Sequence, residues 1–247
     1  MRYFETIALL ASLGCVQAAT VVRGPKDPYF LLVGDSTTAP NGGWGDAFSD
    51  LAENGAEAEN RGKSGSTTIS WKTNGRWDDL LETVANVKAD YEPVVTVQFG
   101  HNDQKSLTLD EYRANLLSIA TDLKEAGATP ILVTPLTRRN WVDNELQQDF
   151  KDWRGKVIAV AKEVGVKYLD LTLASTKYVK AIGEEDSQYY NLSEGDGTHL
   201  NEAGGIIFSR IVADLLLQKR SDFAGYLRAN EALSDKIGAG RFATGDE

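Results

Sequence analysis

The sequence predicts an α/β fold: a three-layer arrangement in which a parallel sheet of four or five strands carries helices on both faces. Three observations predict it. From Tyr29 onward, short apolar runs alternate with longer segments of helical period, the pattern of strands joined by crossover helices. The strongest runs stop abruptly at glycine-containing polar segments. The length, 247 residues, suits one such domain, since these folds reach about 200–250 residues without splitting.

Tyr29 to Val33 reads as a buried strand that ends in Gly34-Asp35-Ser36. Trp44, Ala47, Phe48, Leu51 and Ala52 then recur at helical spacing and stop near Asn54-Gly55. A weaker strand follows near Ala56 to Asn60. Val94 to Phe99 is the strongest strand, a β-branched run closed by Gly100. Thr108 and Glu111 form a capping box for a helix with the apolar stripe Leu109, Tyr112, Leu116, Ile119 and Leu123. Ile131 to Val133 and Tyr168-Leu169 are the remaining strands. Further helices are predicted up to Val164-Gly165, from Leu173 to Ile182, and from Asn201 to about Leu217. Beyond Gln218 the composition turns polar and glycine-containing, which predicts an extension that is peripheral or partly disordered.

With 26 basic and 36 acidic residues the net charge is −10, which argues against a nucleic-acid partner, because such binding needs clustered cations. The first 18 residues combine Arg2, an apolar stretch from Ile7 to Val16 and Val16-Gln17-Ala18, the features of a secretory signal cleaved after Ala18. The apolar run is shorter than the ~20 residues a bilayer span needs. A secreted protein with no membrane attachment after signal removal is expected. Its only cysteine, Cys15, lies within that signal, leaving the mature chain without disulfides. Asn191-Leu192-Ser193 is a sequon, used only if a eukaryotic secretory pathway makes the protein.

Ligands of open parallel sheets collect at the carboxyl ends of the strands, and polar residues crowd there. The segments are Gly34-Asp35-Ser36, Asn60 to Ser66, Gly100-His101-Asn102-Asp103, and Asp196-Gly197-Thr198-His199 before the last long helix. Together they hold a serine in a tight strand-to-helix turn, a histidine to take its proton, an aspartate to orient that histidine, and donors for an oxyanion. Each residue alone has a simpler reading. Ser36 starts a turn, Gly65 bends one, Asn102 caps its own loop, Asp196 forms an Asx-turn and His199 is a surface histidine.

Gly62-Lys63-Ser64 is not the end of a phosphate-binding loop, because Glu57 stands where glycine is required. No Gly-x-Ser-x-Gly elbow is present. With two histidines and no mature cysteine, no metal site is assigned. His101 reads as structural or substrate-facing, and Trp44, Trp71, Trp77 and Trp141 either stack on sugar rings or fill the core.

In order and wording, these four segments resemble the blocks of the SGNH (GDSL) hydrolase superfamily. Gly-Asp-Ser-Thr, Trp44-Gly45, Phe99 to Asp103 and Asp196-x-Thr198-His199 with Ala203-Gly204 after it are similar to its rhamnogalacturonan acetylesterase branch. The resemblance implies a flavodoxin-like α/β/α sandwich over residues 19–220, with residues 221–247 as an extension and no cofactor. It implies Ser36, Asp196 and His199 as catalytic residues and Ser36, Gly65 and Asn102 as oxyanion donors, with Gly62 the alternative to Gly65. The implied activity is removal of acetyl groups from acetylated plant cell-wall polysaccharide, by a monomer. Other esterases or lipases of the superfamily, an acetylxylan esterase and a non-catalytic carbohydrate-binding protein are the alternatives.

Overall fold

The run from Tyr29 forms β1 (Pro28–Gly34), the strand around which the rest is built in the computed structural model, which describes residues 25–247. The signal-peptide reading of residues 1–18 lies outside the described residues. Further strands are β2 (Glu57–Asn60), β3 (Glu92–Gln98), β4 (Thr129–Val133), a short antiparallel hairpin of β5 (Trp141–Val142) and β6 (Glu145–Leu146), and β7 (Lys167–Leu169). Excluding the hairpin, these make one five-stranded sheet in the order β2-β1-β3-β4-β7, with every pairing parallel. That is the flavodoxin-like order, and it places the switch point, where the strand order reverses, between β1 and β3. Gly34 stands level with Gln98, and Gln98 with Val133, so the segments that follow β1, β3 and β4 emerge at one rim.

Successive residues of a strand face opposite sides of the sheet, and β1 is apolar on both. Phe30 and Leu32 join the core shared with Trp44, Phe48, Tyr178, Phe208 and Val212. Leu31 and Val33 join the core shared with Trp71, Leu80, Val84, Leu116 and Val160. The first core lies under α1 (Gly45–Ser49), α6 (Leu171–Gln188), α7 (Glu202–Lys219) and α8 (Glu231–Gly238), and the second under α2 (Thr68–Thr73), α3 (Arg76–Val87), α4 (Leu109–Glu125) and α5 (Lys151–Val164). Thr108 caps α4 in a reciprocal box with Glu111, as its spacing predicts.

Three features depart from the sequence reading. The segment from Thr68 to Val87, where no helix is predicted, forms α2 and α3, with Trp77, Leu80 and Val84 buried. The helix predicted from Leu173 to Ile182 runs from Leu171 to Gln188 and is interrupted by Gly183, whose φ is 87°. The tail after Gln218 is ordered. Phe223, Leu227 and Leu233 are buried, Phe223 meets Phe30 edge-on at 5.4 Å, and Leu227 bridges Ala52. A few well-spaced apolar anchors thus dock a chain whose average composition is polar. No described helix is long and apolar enough to cross a membrane.

Candidate active site

The turn after β1 is closed by hydrogen bonds from the Thr38 and Ala39 amides to the Asp35 carbonyl, at 3.1 and 3.0 Å. It delivers Ser36 to the rim with 8% of its surface exposed. The next helix begins only at Gly45, so Ser36 sits in a tight turn well ahead of it. Across the rim, Leu200 donates to the Gly42 carbonyl at 2.9 Å, which draws the loop before α7 over that turn. His199 Nε2 then lies 2.9 Å from Ser36 Oγ, and His199 Nδ1 lies 2.8 Å from Asp196 Oδ2.

The other carboxylate oxygen of Asp196 accepts the Thr198 and His199 amides, both at 3.0 Å. Partial burial pushes the Asp196 carboxyl up. Hydrogen bonds from the His199 amide, the His199 ring and the Thr198 amide outweigh it and hold the group below the ordinary carboxylate range. An ionised Asp196 accepts a hydrogen bond from the Nδ1–H, which leaves Nε2 free to accept from the serine hydroxyl.

The oxyanion candidates lie on the two neighbouring loops. Asn102 Nδ2 donates to the Ser66 carbonyl at 3.0 Å, which ties the loop after β3 to the loop after β2. Ser66 donates to the Lys63 carbonyl at 3.2 Å, closing a turn in which Gly65 takes φ 78°, a region that favours glycine. The two glycines differ. The Gly62 amide is occupied by Asn60 Oδ1 at 3.0 Å, and a Cβ at Gly62 would stand 2.5 Å from the Ala39 nitrogen. Among the described residues the Ser36 and Gly65 amides have no protein acceptor.

Behind Ser36, Asp35 is fully buried and accepts from the amide and hydroxyl of Thr37, at 3.0 and 2.8 Å, and from the His101 amide at 3.3 Å. Burial pushes its carboxyl up, yet the His101 ring 3.5 Å away and the Thr37 hydrogen bonds hold it below the ordinary range. The Gln98 amide donates to the Thr37 hydroxyl and accepts from Trp44 Nε1, the latter at 2.9 Å. His101 is therefore structural, with its ring packed on Phe150. Trp44, Trp71 and Trp77 fill the core. Trp141 is half-buried, with its indole nitrogen on Ser187 Oγ at 3.0 Å.

Sequence reading missed Arg139, which is 1% exposed. Its Nη2 donates to the His199 carbonyl at 2.6 Å and to the Asp196 carbonyl at 3.5 Å, and its Nε donates to Asn191 Oδ1 at 2.7 Å. Burial brings its guanidinium down to about 10, although Asp196 opposes the shift. The sequon asparagine is thus a buried partner of Arg139, its amide nitrogen engaged by Gln188, and is not presented for glycosylation. No local pattern marks Arg139; its partners are 52 to 60 residues away in sequence.

A flavodoxin-ordered sandwich with serine, histidine and aspartate in line at its carboxyl rim is the arrangement of an esterase of the SGNH class. Residues 32–205 match the model of the GDSL-like lipase/acylhydrolase family, and the chain belongs to that family of carboxylic ester hydrolases. It is 32% identical over 213 residues to the rhamnogalacturonan acetylesterase RhgT of Bacillus subtilis, an alignment covering 76% of this chain and 89% of that one. The solved structure of YxiM from Bacillus subtilis superposes with a TM-score of 0.67 at 23% identity, covering 82% of this chain and 59% of that one. An acetylxylan esterase from Geobacillus stearothermophilus superposes with a TM-score of 0.57 at 22% identity, covering 78% and 94% respectively.

Proposed function

We propose that the chain is a secreted carbohydrate esterase that removes acetyl groups from acetylated rhamnogalacturonan. The observation that carries the reaction is the line from Ser36 Oγ through His199 to Asp196, with gaps of 2.9 and 2.8 Å. The relative at 32% identity supports the substrate.

In this reading His199 takes the Ser36 proton as the serine oxygen bonds to the acetyl carbon. The oxyanion that forms is held by the Ser36 and Gly65 amides and the Asn102 carboxamide. His199 then donates its proton to the departing sugar hydroxyl, leaving an acetyl ester on Ser36. Water, deprotonated by His199, attacks that ester; the serine oxygen leaves and regains the proton as acetate departs. Asp196 stays ionised throughout and stabilises the imidazolium.

The test is acetate release from acetylated rhamnogalacturonan and from acetylated xylan, using protein beginning at residue 19 and its Ser36→Ala variant. Release from the pectic polymer, reduced by ~10⁴-fold or more in the variant, is expected. Preference for xylan would retain the chemistry and replace the substrate. A fully active Ser36→Ala enzyme would remove the mechanism. Amino-terminal sequencing of exported protein, expected to begin at Ala19, tests secretion.

A further inference from the structure

We infer that Lys105 is a positioning residue that sets and polarises the Asn102 carboxamide; this rests on the reading of Asn102 as an oxyanion donor. Asn102 caps and Lys105 ends the single 3-10 turn Asp103–Lys105, closed by the Lys105 amide on the Asn102 carbonyl at 3.0 Å. Three residues per turn bring side chains at i and i+3 over one another, and Lys105 Nζ reaches Asn102 Oδ1 at 3.1 Å. The carboxamide is therefore held at both ends, with Oδ1 accepting from an ammonium and Nδ2 donating to the Ser66 carbonyl at 3.0 Å. Turned over, it would set NH₂ against the ammonium and oxygen against the Ser66 carbonyl, and both contacts would be repulsive. One orientation survives, and it leaves the second N–H of Nδ2 for a substrate oxygen.

The charge adds a second effect. A cation on the amide oxygen draws electron density from the nitrogen and strengthens the remaining N–H as a donor. An oxyanion gains more from that than a neutral carbonyl does, so the effect falls on turnover and spares ground-state binding. In a chain with 36 acidic residues, no described carboxylate pairs with this ammonium; its one partner is Asn102.

The experiment compares wild type, Lys105→Met, Lys105→Arg, Asn102→Ala and the double variant Asn102→Ala/Lys105→Met on an uncharged ester, 4-nitrophenyl acetate, recording kcat and KM separately. Lys105 is exposed, so folding is retained and is checked by Tm. Removal of one oxyanion donor costs ~10²–10³ in turnover, and polarisation changes a hydrogen bond by roughly 10–30%. Lys105→Met is therefore expected to lower kcat roughly two- to tenfold with KM unchanged. Lys105→Arg should recover most of the loss, and Lys105→Met should change nothing further in the Asn102→Ala background. An additive loss in the double variant, a loss confined to KM, or no loss at all overturns the role of Lys105 while Asn102→Ala still reports on the hole. A fully active Asn102→Ala enzyme overturns the reading of the hole, and the role of Lys105 falls with it.

Discussion

The two histidines of this chain each face an aspartate, and the pairs differ in burial, distance and company. His199 and Asp196 lie at the rim with about a third and a quarter of their side chains exposed, 2.8 Å apart, with Ser36 in line. His101 and Asp35 lie beneath it, 2% and 0% exposed and 3.5 Å apart; neither ring nitrogen of His101 makes a hydrogen bond. The same residue types thus do opposite work. At the rim the imidazole has a proton donor on one side and a fixed acceptor on the other, so a proton can move through it. In the interior Asp35 spends its oxygens on Thr37 and the His101 amide, fastening the serine turn to the loop that carries Asn102.

The largest expected effect separates the pairs by chemistry. Asp196→Asn keeps the shape of the side chain but loses the anion that fixes the His199 tautomer. Turnover on an acetyl ester is expected to fall by ~10⁴-fold, with Tm within a few degrees of wild type. Turnover within tenfold of wild type would place the proton relay elsewhere.

That contrast also explains what was legible in the sequence. Ser36, Asn102, Asp196 and His199 each stand in a short polar segment following a strand or preceding a helix, so the topology of a parallel sheet marks them in the sequence itself. The strands were legible for a related reason: β1 and β3 are buried on both faces and so read as unbroken apolar runs. Helices α2 and α3 were not, because the stretch from Thr68 to Val87 is mostly polar and split by Gly75, and only Thr68, Trp71, Trp77, Leu80 and Val84 are buried. The tail anchors Phe223, Leu227 and Leu233 are too sparse to show a period. Arg139 and Gln98 act through contacts that the fold alone creates.

A second prediction tests the interior pair by stability. Asp35→Asn leaves the Thr37 contacts formable but removes the buried anion and sets an NH₂ group against the His101 amide. Losing hydrogen bonds to a charged group costs about 1.5–3 kcal/mol, read as a lower urea midpoint. The sign with pH follows from the depressed carboxyl of Asp35. Its contribution is complete above the unfolded value of about 3.9 and is lost as pH falls through the lower folded value. The gap between wild type and variant should therefore stay constant near neutrality and close in strong acid. A gap that widens in acid would mean that Asp35 is not held ionised by the fold.

Arg139 is the residue best placed to break the contrast, because it is as buried as the interior pair yet bonds the carbonyls of the rim loop. If burial alone decided role, its loss would unfold the chain and leave the chemistry of the remaining folded enzyme intact. Three acceptors meet its guanidinium, Asn191 Oδ1 and the His199 and Asp196 carbonyls, and a lysine ammonium at the same depth cannot span them. Arg139→Lys should thus shift His199 relative to Ser36 and lower kcat about tenfold, since misplacing a reacting group by about 1 Å costs as much as 10²-fold. The burial that brings the arginine down to about 10 would lower a lysine as well, and from a lower starting point. Raising the pH would therefore neutralise the lysine first and deepen the defect, whereas wild type, whose guanidinium stays charged to higher pH, would not follow. Parallel pH profiles in the two enzymes would confine Arg139 to the stability of the fold, and burial alone would then separate the two pairs.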